Sequence, residues 1–409
     1  MTFSIIGLGG RGYTYASFIR EYGKEIVAIC EPDPGKRDAV ASLGVAEENW
    51  YRDEEEFFSA GKLSDVLVIA TLDDLHYREA MRALELGYDI LLEKPIAMTL
   101  SECEELGKKA VALGRRVIVC HVLRYAPLFV KLKELCDEGI LGNINCIEVT
   151  ENIGYYHFAH SFCRGNWRNN EVSAPLIVAK NCHDTDLILW LMNERCVSVS
   201  SYGDLVHFRR ENAPEGSAER CVECRYRNEC IYSAPMIYMN EEYENKARLR
   251  AHGKLGNTEE ELEKNLSDRN NLYGRCVYRC DNDVVDMQIV NMRFESGAIG
   301  QLKTIAFTNK LTREVRLYGS KGILYIADGE RKIVFEPLGG EVVWYPAEDS
   351  KEGGGHSGGD GGIVRSLIDY LENGKRSIGV AEIEESVDGY RVAFLAEKSR
   401  LEDGKVQRL

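Results

Sequence analysis

The chain has 409 residues, with 66 acidic and 51 basic side chains and a formal net charge of −15. This acidic balance argues against nucleic acid as a partner, and no apolar run reaches the roughly 18 residues of a membrane span. The length predicts about two domains. Thirteen cysteines, mostly scattered singly, and an N-terminus without secretion-signal features predict a cytoplasmic protein.

A glycine-rich turn lies near the start of the chain, between an apolar strand at Phe3–Ile6 and a helix predicted over Tyr13–Tyr22. The turn reads Gly7-Leu8-Gly9-Gly10-Arg11-Gly12. In this context the first glycine permits the tight turn, the second lets backbone approach a pyrophosphate, and the last lets helix pack on strand. The free N–H groups of the helix N-terminus favour phosphates, so the turn predicts a dinucleotide site.

An acidic residue ends the next predicted strand. Glu31 follows Ile26–Cys30 and lies nineteen residues beyond the last glycine of the turn. That is close to the usual spacing for the acid that binds the adenosine ribose hydroxyls. Glu31, or less favourably Asp33, would repel a 2′-phosphate, so NAD is expected rather than NADP. Lys36 and Arg37 follow closely and leave NADP as the alternative.

Strands and helices alternate through residues 1–121. Strands are predicted at Phe3–Ile6, Ile26–Cys30, Val66–Ala70, Ile90–Leu92 and Val117–Cys120, and helices at, for example, His76–Leu86 and Ser101–Leu113. Apolar strands separated by helices predict a parallel, doubly wound sheet, which is a Rossmann domain.

The pattern changes in residues 122–409. Strands are predicted at Asn143–Glu151, Val197–Phe208, Met287–Phe294, Ala298–Phe307, Glu314–Tyr318 and Lys332–Glu336. Helices are predicted at Pro127–Asp137, His183–Met192, Gly362–Glu372 and Val380–Arg400. Alternating polarity predicts an α+β domain with an open, mostly antiparallel sheet. Residues 209–281 form a charged, cysteine-bearing insertion, and a glycine-rich loop carries His356 and Asp360, which are expected to reach the pocket.

One lysine ends an apolar strand in the run Ile90-Leu91-Leu92-Glu93-Lys94-Pro95-Ile96-Ala97. An ammonium at such a place must be paired or used, because burying it alone is costly. The strand therefore predicts a functional Lys94.

Several motifs, in this order, resemble the glucose–fructose oxidoreductase, inositol dehydrogenase and MocA (Gfo/Idh/MocA) superfamily. They are Gly7-x-Gly9-x-x-Gly12, Asp65-Val66-Leu67-Val68-Ile69-Ala70-Thr71-x-x-x-x-His76, Glu93-Lys94-Pro95, Arg124-x-x-Pro127 and His183-Asp184-x-Asp186-Leu187. The resemblance covers most of the chain and is strongest in its first half. It implies a Rossmann domain followed by a sheet domain that carries the substrate.

The resemblance also implies site residues. Lys94, before a cis proline in relatives, would face the nicotinamide and the reacting hydroxyl, where the cationic ring helps an ammonium move protons near neutral pH. His183 would act on the same hydroxyl. Relatives carry an aspartate where this chain has Ala179, followed by Lys180. Lys180 is expected on one helix face with His183 and Asp184. Cofactor contacts are expected at Gly7, Gly9, Gly10, Arg11, Gly12, Glu31, Thr71, His76, Glu93, Lys94 and Arg124.

Substrate contacts are expected from two segments. His121 lies where the first domain ends, beside the strand ends at which open sheets bind ligands; the alternative is a hydrogen bond in the domain linker. Residues 154–169 mix aromatic, amide and cationic side chains that suit a sugar or acidic sugar, unless the loop satisfies its own polar groups. The candidates are His121, Tyr156, His157, His160, Arg164, Trp167 and Arg168. A metal site at His157 and His160 is disfavoured, because no clear carboxylate ligand is near.

The insertion carries a cluster of cysteines. Cys221, Cys224 and Cys230, with Cys276 or Cys280 as the fourth ligand, predict a structural zinc site. Free thiols and an iron–sulfur cluster are the alternatives.

These features together predict NAD-dependent hydride transfer at a carbinol carbon of a sugar, cyclitol or glycoside, with Lys94 and His183 handling the hydroxyl proton. One alternative is a glycoside hydrolase that oxidises its substrate transiently, eliminates the aglycone, adds water and returns the hydride. A cofactor-binding regulator without catalysis is the other alternative. The resemblance implies a homodimer or homotetramer.

Overall fold

The protein is described by a computed structural model for residues 1–240, 249–250, 253–326, 332–346 and 358–409. His356 of the glycine-rich loop lies outside the described residues. No described helix is long and apolar enough to cross a membrane.

The first sheet has six parallel strands in the order β3-β2-β1-β4-β5-β6. The strands are β1 (Thr2–Ile6), β2 (Glu25–Cys30), β3 (Trp50–Tyr51), β4 (Val66–Ile69), β5 (Asp89–Leu92) and β6 (Val117–Val119). The helices are α1 (Gly10–Glu21), α2 (Arg37–Ser42), α3 (Glu54–Ser59), α4 (His76–Glu85) and α5 (Leu100–Ala112). Every residue of β4 is buried, as expected for a parallel sheet covered on both faces.

The second sheet has nine strands in the order β14-β13-β12-β11-β7-β10-β9-β8-β15. Only β7 and β10 pair in parallel; every other neighbouring pair is antiparallel. The strands are β7 (Ile144–Asn152), β8 (Cys196–Asp204), β9 (Met287–Phe294), β10 (Ile299–Ile305), β11 (Thr312–Gly319), β12 (Gly322–Ile326), β13 (Lys332–Pro337), β14 (Val343–Pro346) and β15 (Gln407–Arg408). Strand β9 alternates exposed and buried residues, so one of its faces packs on the core.

Helices of varied length accompany this sheet. They are α6 (Pro127–Asp137), α7 (Tyr155–Phe158), α8 (Leu176–Ala179), α9 (Cys182–Met192), α10 (Ala234–Tyr238), α11 (Glu259–Ser267), α12 (Gly359–Asn373) and α13 (Ile383–Leu401). The predicted fold, a Rossmann sheet followed by a mostly antiparallel sheet, is therefore confirmed.

Helix α12 belongs spatially to the first sheet although it comes late in the chain. Ile363, Val364 and Leu367 join the apolar cluster that surrounds Ile5 and Tyr15. Beyond α12 the chain pairs with β6, where the Val119 N–H donates to the Ala381 carbonyl at 3.0 Å. Asp360, on the first turn of α12, pairs with Arg11 at 2.9 Å and is buried. The carboxylate expected to reach the pocket instead ties α12 to the glycine-rich turn.

One helix prediction was wrong, and it concerns Lys180. Helix α8 ends at Ala179 and α9 begins at Cys182, so Lys180 does not share a helix face with His183. The intervening Asn181 has φ −85° and ψ 5°, and Lys180 caps the shorter helix. No proline or glycine lies between the two helices, so the sequence carries no signal that predicts this break.

Candidate active site

The glycine-rich turn is shaped for close approach of a phosphate group. Gly7 has φ +84°, and a Cβ there would lie 2.7 Å from the Ala70 carbonyl oxygen. A Cβ on Gly12 would lie 1.9 Å from the Gly7 carbonyl oxygen, so helix and turn can meet only without it. A Cβ on Gly9 or Gly10 would meet nothing within 4 Å. The side of the turn where a pyrophosphate would lie is therefore open, and α1 begins at Gly10 with its N–H groups beside it.

Glu31 stands at the carboxyl end of β2 beside this turn. One carboxylate oxygen accepts from the Leu8 N–H at 2.7 Å and the other from the Asp33 N–H at 3.0 Å. A carboxylate so held has further lone pairs for ribose hydroxyls. Arg37 contacts Glu47 at 3.3 Å, which engages one of the two cations that favoured NADP. These residues fit NAD.

Glu93 forms a buried network rather than an open cofactor contact. Its Oε1 accepts from Arg11 Nε and from the Tyr15 hydroxyl, both at 2.6 Å. Burial alone would raise the pKa of Glu93, but the nearby charges of Arg11 and Lys94 outweigh it and lower that pKa to about 2. Arg11 and Glu93, both expected to contact the cofactor, are thus paired with each other.

Thr71 and His76 link the turn after β4 to the turn after β5. The Thr71 hydroxyl donates to Glu79 at 2.6 Å, and His76 Nδ1 lies 2.7 Å from the Pro95 carbonyl oxygen. The Lys94–Pro95 peptide is cis. Because β4 and β5 are neighbouring parallel strands, their carboxyl ends meet at one edge, where ligands bind open sheets.

Lys94 leaves the end of β5 toward the second sheet's helices. Its Nζ donates to the Ala179 carbonyl at 3.0 Å and lies 6.0 Å from the centroid of the Trp167 ring. The side chain is only half-buried. The ammonium therefore lies between the first domain and the α8–α9 break that carries Lys180.

Two histidines lie together at this boundary. The ring centroids of His121 and His183 are 6.0 Å apart, and both side chains are buried. His121 Nε2 lies 3.7 Å from Asp186, whose two oxygens also accept from Arg124 at 2.8 and 2.6 Å. Burial lowers the pKa of His121 to about 4, although Asp186 opposes the shift. Arg124, expected to contact the cofactor, is instead engaged by Asp186.

Lys180 joins a balanced group of charges whose two carboxylates are fully buried. Its Nζ lies 3.0 Å from one oxygen of Glu151, and Arg313 Nε lies 3.0 Å from the other. Arg313 Nε also donates to Asp184 at 2.7 Å. Burial lowers the pKa of Lys180 and raises that of Glu151, while their mutual attraction opposes both shifts. Two cations thus face two carboxylates.

Sequence reasoning missed three members of the site: Asp73, Glu151 and Arg313. Glu151 and Arg313 are directly opposed on the antiparallel strands β7 and β11. The sequence shows the two opposite charges, but it does not show that these strands are paired. Asp73 accepts from Trp167 Nε1 at 3.2 Å, a contact that joins distant parts of the chain.

The side chains of the aromatic and cationic segment 154–169 have two different surroundings: one lies near Lys94, and others pack or pair with the insertion. Trp167 lies beside Lys94, whereas Arg168 is bound to both oxygens of Asp281 at 2.9 Å. His160 is buried, stacked on Tyr273 and bonded to the Tyr238 hydroxyl at 2.8 Å. Tyr156 is buried in the same apolar cluster, and His157 is half-buried near Ser161.

Arg164 was expected at the substrate and is instead fully buried against the insertion. Its Nε donates to the Arg275 carbonyl at 2.7 Å and Nη2 to the Tyr232 carbonyl at 2.6 Å. The structure therefore does not support His160 and Arg164 as substrate-binding residues, because both are buried and are bonded to Tyr238, Arg275 and Tyr232 of the insertion. Burial within the insertion's core decided their place, which the segment's composition could not show.

The cysteines of the insertion come together without forming a metal site. Cys221, Cys224, Cys230 and Cys276 line one cavity, while Cys280 Sγ donates to the Cys276 carbonyl. Across the described residues, no three His, Cys, Asp or Glu side chains form a group that could hold a metal ion. The zinc expectation is therefore not supported. All thirteen cysteines are free thiols.

Two sequence models of one oxidoreductase family, Gfo/Idh/MocA, match the chain. The model of the NAD-binding Rossmann fold covers residues 1–121, and that of the C-terminal alpha/beta domain covers residues 133–407. Together they account for nearly the whole chain.

Relatives and solved structures are similar over long stretches. The oxidoreductase YteT of Bacillus subtilis is 24% identical over 366 residues, covering 84% of this chain and 82% of that protein. Inositol 2-dehydrogenase 1 of Saccharopolyspora erythraea is 26% identical over 204 residues, covering 48% of this chain and 56% of that protein. A solved inositol dehydrogenase homologue of Azotobacter vinelandii, complexed with NAD+, has a TM-score of 0.71 at 18% identity, covering 100% of this chain and 97% of its own. The structural likeness shows a shared fold.

Proposed function

Because this chain belongs to the Gfo/Idh/MocA family of NAD-binding oxidoreductases, we propose that it transfers a hydride between NAD and a carbinol carbon of a sugar, cyclitol or glycoside. The observation that carries the proposal is the position of Lys94. Its ammonium leaves the carboxyl end of β5 and is held by the Ala179 carbonyl at 3.0 Å, at the edge of the sheet where the glycine-rich turn lies.

Bound NAD would accept the hydride from the carbinol carbon. Lys94 is the candidate base: as the neutral amine, having first lost a proton to solvent, it keeps an N–H for the Ala179 carbonyl and offers its lone pair to the hydroxyl proton as the hydride leaves. His183 is the candidate to orient the same hydroxyl, since it lies on α9 against His121. Trp167 offers an apolar face for a sugar ring beside the ammonium.

The charge balance of the site supports a substrate rich in neutral hydroxyls. Lys180 and Arg313 are already matched by Glu151 and Asp184. Paired charges offer strong hydrogen-bond donors and acceptors without a net charge that would demand an ionic substrate. Relatives named inositol dehydrogenases favour the same class.

A redox-neutral glycoside hydrolase is the second candidate that the same experiment tests. It would use the same cofactor and Lys94, and its distinctive need is a second acid–base group near the sugar. Lys180, which stands one residue after the Ala179 carbonyl that holds Lys94, is the candidate for that group.

The cellular and oligomeric parts of the proposal rest on different features. Thirteen free thiols favour a reducing compartment such as the cytoplasm. The family resemblance favours a homodimer or homotetramer, and light scattering on the purified protein measures it. A single-chain mass would exclude that assembly.

The experiment is one assay with two readouts. Purified protein and NAD are given free sugars, cyclitols and chromogenic glycosides, while NADH and released aglycone are followed together. NADH formed from a free sugar or cyclitol supports the dehydrogenase. Aglycone released without net NADH supports the hydrolase, and neither signal across all three classes would contradict both candidates.

Lys94→Ala provides the matching test of mechanism. We expect turnover to fall about 10³-fold, because proton transfer by a positioned group contributes about 10²–10⁴-fold. NAD affinity, measured by calorimetric titration, should change little. Full turnover in a folded Lys94→Ala protein would remove the assigned role, and Lys405→Ala, whose side chain is 72% exposed, serves as a control for loss of a surface cation.

A further inference from the structure

Asp73 is a buried carboxylate that the proposed chemistry does not use. It lies in the turn between β4 and α4, and Trp167 Nε1 donates to its Oδ2 at 3.2 Å. Because β4 and β5 are parallel neighbours, this turn meets the sheet edge from which Lys94 emerges. A buried carboxylate is costly unless it is paired or hydrogen-bonded, so its partners need an explanation.

Trp167 is the hydrogen-bond partner of Asp73, and Lys94 acts on that carboxylate through charge. The Lys94 ammonium lies 6.0 Å from the Trp167 ring centroid, within reach of a cation–π interaction. Burial raises the pKa of Asp73, and the charges of Lys94 and His76 oppose that rise. One indole thus contacts the carboxylate through its N–H while its ring lies near the ammonium.

The loop that carries Trp167 is fastened to the end of the insertion. Arg168 Nε lies 2.9 Å from both oxygens of Asp281, and Asn169 Nδ2 donates to the Asp281 carbonyl at 3.1 Å. The Asn170 N–H donates to Asp283 at 2.9 Å. The three residues that follow Trp167 are therefore held by Asp281 and Asp283.

We propose that Asp73 and Trp167 are positioning residues for Lys94, and that the insertion braces them through Asp281. Asp281 holds the loop in place, and the loop thereby positions the Trp167 indole. The indole and the Asp73 carboxylate together position the Lys94 ammonium. This inference rests on the proposed role of Lys94. The insertion would then help to position Lys94, although the two are far apart in the sequence.

Other titratable groups also act on Lys94. Glu93, His121 and Cys182 each interact with its charge, from the end of β5, from beyond β6 and from α9 respectively. Glu93 is already neutralised by Arg11. Asp73 is thus the carboxylate whose removal changes the surroundings of the ammonium without breaking a direct ion pair.

The kinetic test uses Asp73→Asn, which keeps the side-chain shape and removes the charge. We expect kcat for polyol oxidation to fall about tenfold to a hundredfold, with KM for NAD within about twofold. The rising limb of the pH profile of kcat/KM should move down by about one pH unit, because an ammonium without its carboxylate neighbour releases its proton more readily. A folded variant with an unchanged pH limb would overturn the inference.

The structural test does not depend on turnover. Acrylamide quenching of tryptophan emission is compared with that of Trp167→Phe, which isolates the Trp167 signal. Asp73→Asn and the surface variant Asp281→Ala should both increase quenching of that signal, whereas Glu295→Gln, in an exposed pair 3.6 Å from Arg195, should not. If wild-type protein oxidises no polyol, this readout still tests whether Asp281 holds the loop that carries Trp167. Unchanged quenching in Asp281→Ala would overturn that part of the inference.

Discussion

Cations are neutralised differently at the candidate active site and around the insertion. At the site, Lys180 and Arg313 face Glu151 at 3.0 Å each. Around the insertion, Arg164, which packs against it, and Arg220, which lies in it, are buried, and within the described residues each contacts backbone carbonyls rather than a carboxylate. Carboxylates match the cations beside Lys94, whereas the arginines around the insertion join loops that have little regular structure. Arginine therefore takes part in ion pairs in one region and holds backbone together in the other.

The largest expected effect comes from Arg164→Met, which removes the cation and its hydrogen bonds together. We expect a loss of about 4 kcal/mol, because carbonyls of Arg275 and Tyr232 remain buried without a donor. Urea unfolding measures it. Arg227→Met is the control, since Arg227 pairs with Glu263 near the surface and should cost less than about 1 kcal/mol. Equal losses of unfolding free energy in the two variants would show that the buried arginine contributes no more to stability than the surface one.

A somewhat smaller loss is expected for Glu151→Gln, because Lys180 and Arg313 then lose the fully buried carboxylate that they share. Breaking a buried ion pair costs about 3 kcal/mol. In a double-mutant cycle with Lys180→Met, the double variant should be more stable than the sum of the two single losses predicts, since each single change strands the other's charge. Strict additivity would show that the two side chains do not depend on each other.

The smallest effect is expected from pH. The pKa of His121 is about 4 in the fold because of burial, below its usual value of about 6.5. The unfolded chain therefore takes up the proton first, so this group's contribution is present above about pH 6.5 and is lost as pH falls toward 4. From pH 7 to 5 we expect about 2 kcal/mol of stability to disappear. His121→Gln should flatten that part of the curve, and an equally steep curve would assign the loss to other groups.

The sequence predicts the first sheet better than the site. All five predicted Rossmann strands were confirmed to within one residue at each end, because continuous apolar runs bounded by turns are local signals. The two-residue strand β3 is too short to give such a signal. Lys94 and the glycine-rich turn were found for the same local reason.

Pairing over long sequence distances explains what the sequence did not reveal. Glu151 meets Arg313 only through the register of β7 and β11. Arg164 looked like a sugar ligand from its aromatic neighbours, but the insertion, far along the chain, closes over it. Composition could not show which side chains of segment 154–169 lie near Lys94, because tertiary packing places Trp167 there and Arg164 in the core against the insertion.

Helix α12 has a consequence for how the protein is made. The ribosome makes the six strands of the first sheet, and then strands β7 to β14, before it makes Ile363, Val364 and Leu367, which cover part of the first sheet's core. The nascent first domain therefore carries an uncovered apolar face while strands β7 to β14 are being made. Such faces bind chaperones and aggregate. A chain truncated before Gly359 should accordingly be insoluble even though its whole Rossmann sheet is present.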